Sequence, residues 1–240
     1  MDLTDRQIQI IKCIVEEYSE TAEPVGSDTL DKKYSLGISP ATIRNEMAEL
    51  TSMGYLAQPH TSAGRIPTPV AIRFYVDQLL KERELSVAEE VAVKERVWDC
   101  RQELNRLLTE ATRVLSERTG LLSLATTDDE RLYHAGYARI LSLPEFFDID
   151  VTRQVLSLVE EIRELSALFN RAQGNEPVHI LIGDDLGLEL YRPISLVFAD
   201  FKVGNRFGRI AVIGPSRLDY SHTIPMLRYV SNLISEIGQA

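Results

Sequence analysis

At 240 residues, with 44% hydrophobic and 26% charged side chains, the chain has an ordinary globular balance and room for one large domain or two smaller ones. No apolar run approaches the roughly 18 residues of a membrane span, and Asp2, Asp5 and Arg6 interrupt any leader-like stretch, so no membrane partner is expected. The net charge of −10 argues against a nonspecific nucleic-acid coat, although no Asp or Glu occurs from Leu50 to Val76, where His60, Arg65 and Arg73 fall.

Leu3 to Ile8 opens a helix: Thr4 and Gln7 have capping-box spacing, and Leu3 can staple onto Ile8. Ile8, Ile11, Ile14, Val15 and Tyr18 then follow helical spacing. Cys13 falls within this apolar pattern and Cys100 lies far away, so two free thiols and a reducing, cytoplasmic compartment are expected. Pro24-Val25-Gly26-Ser27 breaks the helix, and Ser27 is read as the cap of a second one ending at Tyr34. After a turn at Gly37, Ser39-Pro40 starts a third helix, with serine as cap and proline at the first position, and Gly54 stops it.

This third helix has two faces. Ile43, Met47 and Leu50 line one. Ala41, Asn45, Ala48 and Ser52 line the other, flanked by Thr42, Arg44 and Glu49, and so slim a polar face suits insertion into a groove. Tyr55 to Gln58 reads as a strand, Pro59 to Arg65 as a turn, and Ile66 to Thr68 as the returning strand. Thr68-Pro69 caps a fourth helix carrying Phe74, Val76, Leu79 and Leu80. Helix, turn, helix and hairpin in this order predict a winged helix-turn-helix DNA-binding domain over residues 1–80.

Residues 81–120 are expected to form a linker or dimerisation element built on one long helix from Ser86 to Thr119. Its heptad-like seam comprises Val97, Leu104 and Ala111 with Leu108 and Leu115, interrupted at Lys94 and Arg101 and ended by Gly120. Beyond it, Leu121–Ala125, Arg131–Tyr133, Val178–Ile182, Ile194–Phe201 and Phe207–Ile213 read as strands, the last two joined by a hairpin at Gly204-Asn205-Arg206. Asp150 is expected to cap a helix running from Val151 past Leu168 toward Gly174, and Ser221 a final helix carrying Ile224, Leu227, Val230, Leu233 and Ile237. Residues 121–240 therefore predict an α+β domain with an antiparallel sheet.

Catalytic signatures are absent. His60, His134, His179 and His222 share no metal-ligand spacing, Gly204 to Gly208 lacks the Lys-Ser/Thr of a phosphate loop, and the paired aspartates at 128–129 and 184–185 belong to turns. No enzyme activity, metal or cofactor is expected. The candidate site is instead a DNA surface. Thr42 and Asn45 can bond base edges, and Arg44 can grip a guanine or a phosphate. Ser39 and the free amides beside it can hold a phosphate. Arg65 is the cation best placed to enter a groove from the wing, with His60, Thr61 and Ser62 as polar contacts. A protein-binding module and a small-molecule sensor in the C-terminal domain remain as alternatives.

The runs Pro24-Val25-Gly26-Ser27, Ser39 to Met47 and Pro59 to Thr68 resemble the HrcA family of heat-inducible transcription repressors. Pro144-Glu145-Phe146, Ile182-Gly183 and Gly208 to Tyr220 resemble that family's C-terminal region. The resemblance implies a winged-helix domain followed by a GAF-like regulatory and dimerisation domain carrying an inserted dimerising domain. It also implies a homodimer on an inverted-repeat operator upstream of chaperone operons, a chaperonin partner that promotes DNA binding, and release under heat stress. The chain is shorter than members of the family, with the shortening placed around Leu121 to Arg131, and Pro69-Val70-Ala71-Ile72 departs from the usual residues after the wing.

Overall fold

Reciprocal capping begins the first helix, α1 (Asp5–Thr21): Thr4 Oγ1 accepts from the Gln7 amide while the Gln7 side chain accepts from the Thr4 amide. The computed structural model describes residues 3–172 and 174–238. It divides into two units, Met1–Leu80 and Lys81–Ala240.

In the first unit, α1 buries Ile10, Ile11, Ile14 and Val15, while Ile8 stays half-exposed, so the apolar stripe is displaced from the expected one. Leu30 of α2 (Ser27–Tyr34) and Ile43, Met47 and Leu50 of α3 (Pro40–Ser52) complete the core. Ser27 is not the cap of α2. Gly26 takes that place without a side-chain bond, and Ser27 is the first helical residue. The hairpin strands are short, β1 (Leu56–Ala57) and β2 (Ile66–Pro67), and pair antiparallel with Leu56 opposite Pro67. A third segment joins them, since Val25 and Arg65 exchange both backbone hydrogen bonds at 2.8 Å. Thr68 caps α4 (Pro69–Phe74), which widens into a π-helical turn, Tyr75–Leu79.

The second unit corrects the single long helix. It is two helices, α5 (Val87–Trp98) and α6 (Leu104–Thr119), parted at Asp99–Glu103. Most of the expected seam is core of its own unit: Val97, Leu108, Ala111 and Leu115 are fully buried, and Arg96 ties the two helices together through Glu110 and Glu117. Five antiparallel strands follow, β3 (Leu122–Thr127), β4 (Leu132–Ala135), β5 (His179–Ile182), β6 (Ile194–Val203) and β7 (Arg206–Pro215), arranged β4-β3-β7-β6-β5.

Alternating side chains serve the two faces of this sheet. Leu122, Leu124, Leu196, Phe198, Ala211 and Ile213 face α8 (Ile149–Glu160) and α9 (Ile162–Phe169), which follow the short α7 (Tyr137–Ile140). Their alternates face α6 and α10 (Tyr220–Ile237). Burial on both faces explains the unbroken apolar runs of β6 and β7.

Two further expected caps are displaced, and a second expected helix is split. Asp148, not Asp150, caps α8, accepting from the Asp150 and Val151 amides. The helix that follows breaks at Glu161 and ends at Phe169, short of Gly174. Asp219, not Ser221, caps α10. Pro225 inside α10 cannot donate to the Ser221 carbonyl four residues back, and the Arg83 amide supplies that bond at 2.9 Å.

Candidate nucleic-acid interface

The start of α3 is fixed by its own sequence. Ser39 Oγ accepts from the Thr42 amide at 3.2 Å and lies 2.9 Å from Thr42 Oγ1, so the two hydroxyls sit together at the exposed helix entrance. With Ile43, Met47 and Leu50 buried at i, i+4 and i+7, the opposite face must be outward. Ala41, Asn45, Ala48 and Ser52 are all exposed, as are Arg44 and Glu49.

The wing is shaped by backbone contact. At Gly64 a Cβ would stand 2.4 Å from the Val25 carbonyl oxygen, so only glycine permits this approach. Gln58 Nε2 donates to the carbonyls of Thr61 and Ala63, both at 3.0 Å, which folds the loop back on its first strand. His60 Nδ1 lies 3.2 Å from Ser62 Oγ, and His60, Thr61 and Ser62 are exposed at the tip.

Arg65 does not extend from that tip. It is half-buried, and its Nε donates to Thr51 Oγ1 at 3.0 Å, while that hydroxyl donates to the Met47 carbonyl at 2.7 Å. The side chain therefore turns toward the C-terminal half of α3. Arg44 Nη2 donates to Ser27 Oγ at 3.3 Å. Arg44 and Arg65 thus converge on one polar cleft of about 340 Å³ between α3, the start of α2 and the wing, which Thr61 and Ser62 also line. Ser39, Thr42, Asn45 and His60 lie outside it, on the helix entrance, the exposed face and the tip.

The cleft has a distinctive charge state. Among the described residues, neither Arg44 nor Arg65 has a carboxylate oxygen within 4.0 Å, and their hydroxyl partners carry no charge. Elsewhere in the same unit Arg6 pairs with Glu46 and Arg73 with Asp77. Asp28 also lines the cleft, near the start of α2, and is the one acidic group there. Two guanidiniums against a single carboxylate leave the cleft with a positive balance, an anion-receptive surface in an otherwise acidic chain.

The sequence reading missed Ser27, Thr51 and Gln58, which orient the two arginines and the wing. Ser27 belongs to the Pro-Val-Gly-Ser run already noted, whereas nothing local marks Thr51. Among the described residues there is no cluster of three His, Cys, Asp or Glu side chains placed to hold a metal, and no helix long and apolar enough to cross a membrane.

Comparisons with known proteins bear on the whole chain. Residues 2–79 match the family described as winged helix-turn-helix transcription repressor, HrcA DNA-binding, and residues 69–224 match the HrcA protein C-terminal domain. A protein from Symbiobacterium thermophilum named heat-inducible transcription repressor HrcA is 29% identical, covering 99% of each chain. Its namesake from Carboxydothermus hydrogenoformans is also 29% identical, covering 98% of each. The first alignment extends over 338 positions, 98 more than the 240 residues present here, so the relative carries a substantial length of sequence that this chain lacks. A crystal structure at 2.2 Å resolution, described only as a hypothetical protein, superposes with a TM-score of 0.80 at 20% identity, covering 98% of each chain, and shares the fold.

Proposed function

The chain belongs to the HrcA family of heat-inducible transcription repressors, and from that premise we propose that residues 1–80 read a double-stranded inverted-repeat operator as part of a cytoplasmic homodimer. Residues 81–120 supply a dimerisation element, and residues 121–240 form the GAF-like regulatory domain. The regulated genes are chaperone operons, repression is relieved by heat stress, and a chaperonin promotes the DNA-binding form. Family membership supports each of these finer statements.

One observation carries the DNA reading. Arg44 and Arg65, from the helix and the wing, converge on a single cleft with no carboxylate partner, beside the exposed Asn45 face. Duplex phosphates are the natural complement of such a pair. The Asn45 amide has the donor and acceptor geometry for an adenine edge. Thr42 and Ser39 then serve the helix entrance, and His60, Thr61 and Ser62 the wing tip.

The test is footprinting of the full chain on chaperone promoters from its own genome, with and without chaperonin, against a mixed-sequence duplex. A protected inverted repeat is the expected result. Equal affinity for both duplexes would reject sequence-specific repression, and binding to neither would favour a protein-docking module.

A further inference from the structure

Helix α5 leaves a stripe of apolar side chains uncovered. Val87, Val91 and Trp98 are 77%, 46% and 39% exposed, while Val93 and Val97 on the same helix are fully buried against their own unit. Positions 87, 91, 94 and 98 follow the 4-3-4 spacing of a heptad seam, with Lys94 as its polar member. The expected seam from Val97 to Ala111 proved to be core, and this second stripe, on a neighbouring face of α5, is the one facing outward. Trp98 stands between two cations, Lys94 Nζ at 6.0 Å and the Arg101 guanidinium at 5.2 Å from its ring centroid.

We propose that this stripe is a contact between two copies of the chain, with their α5 helices antiparallel about a two-fold axis. The proposal rests on the homodimer reading above and names the surface that reading needs. Self-complementarity carries it. When Val87 faces Trp98 of the second copy, Val91 necessarily faces Lys94, and the remaining two contacts repeat these by symmetry, so every seam position finds a different seam position.

Charge selects the same arrangement. A parallel pair in register would stack Lys94 on Lys94. The antiparallel pair instead lays the Lys94 stem over the second copy's Val91, with the ammonium beside Glu90 and Glu95 on the flanks of that residue. A single helix seam of this length is small against the roughly 1,200–2,000 Å² of stable complexes. The contact therefore dissociates on dilution, which makes it measurable.

Trp98 is the sole tryptophan of the chain, so its emission reports on this surface alone. The full chain is followed across a concentration series by sedimentation and by tryptophan fluorescence, alongside Val91→Gln, which removes the apolar contact without placing a carboxylate opposite Lys94. The expected result is a monomer–dimer equilibrium in which Trp98 emission moves to shorter wavelength in step with the dimer fraction. Val91→Gln raises the dimer Kd at least tenfold without changing the far-ultraviolet circular dichroism melt. A chain that dimerises with constant Trp98 emission, or with an unchanged Kd in Val91→Gln, overturns the α5 contact and leaves the homodimer standing. A chain that sediments as a monomer at every concentration overturns both.

Discussion

Arg217 and Glu145, 72 positions apart in the chain, meet in a bidentate ion pair: Nε lies 2.6 Å from Oε1 and Nη2 lies 3.1 Å from Oε2, with both side chains nearly buried. The pair fastens the Pro144–Phe147 turn to the connection between β7 and α10. Around it Thr152 Oγ1 donates to the Phe146 carbonyl, and the Tyr220 hydroxyl lies 2.6 Å from Ser195 Oγ. Two separate motifs, Pro144-Glu145-Phe146 and the run ending Arg217-Leu218-Asp219-Tyr220, are thus halves of one junction.

Removing one partner leaves a charge buried without its counter-ion. Arg217→Met is expected to destabilise the second unit by about 3–5 kcal/mol, because the Glu145 carboxylate loses its charge complement but not its burial. Arg217→Met combined with Glu145→Leu should recover most of that loss. Urea denaturation of the three chains checks this, and a double variant no better than the single would show that packing rather than charge holds the junction.

How much of this was legible beforehand follows physical locality. The caps at Thr4, Ser39 and Thr68 were readable because hydroxyl and amide lie three positions apart. The inward face of α3 was readable from spacing alone. The α5–α6 break was not, since Asp99 to Glu103 contains no glycine or proline. Periodicity states that a face is covered without stating by what, so the expected seam through Val97 and Ala111 could equally be core, as it is. Arg65 shows the same limit at the site. Its charge was evident, but its direction is set by Thr51, fourteen positions away.

Gly64→Ala tests the wing's attachment. The added methyl meets the Val25 carbonyl, and the Val25–Arg65 backbone pair must open to admit it. A loss of about 1–3 kcal/mol in the first unit is expected, as for other overpacked sites. Operator affinity should fall with it, since Arg65 sits in that pair. Thermal unfolding read with a DNA titration checks both, and wild-type stability would refute the close approach.

The two cysteines should differ in reactivity. Burial, with Glu16 nearby, raises the Cys13 thiol to about 11, so almost no thiolate is present at pH 8. Cys100 is only partly covered. One equivalent of an aromatic disulfide reagent should be consumed rapidly in native buffer and a second only on unfolding. Rapid consumption of two would show that Cys13 is accessible.

Acid should loosen the first unit through Glu17. Lys33 Nζ at 2.6 Å, and secondarily the Tyr34 hydroxyl donating at 3.0 Å, hold its carboxyl below the ordinary glutamate value. A group whose pKa is depressed on folding contributes stability above its unfolded value, near pH 4.5, and that contribution disappears as pH falls through the lower folded value. Glu17→Gln should therefore weaken the protein at pH 7 and flatten the acid limb of its stability profile. An acid limb unchanged by the substitution would remove Glu17 from the account.

The DNA surface divides into two kinds of contact that salt can separate. Asn45→Ala should cost about 1–3 kcal/mol on the operator and relax preference at one base position while leaving nonspecific binding intact, because a base-edge amide adds discrimination rather than charge. Arg65→Ala should weaken operator and mixed-sequence duplex alike, since a phosphate contact carries no sequence information, and should reduce the slope of log K against log salt by about one. Arg44, exposed beside Asn45 yet tied to Ser27 in the cleft, can serve either role. Its class is read directly from Arg44→Ala: lost discrimination assigns it to a guanine, and a reduced salt slope assigns it to the backbone. Titrations of all three variants at several salt concentrations decide among these roles, and unchanged affinity in every one would mean that DNA is read elsewhere or not at all.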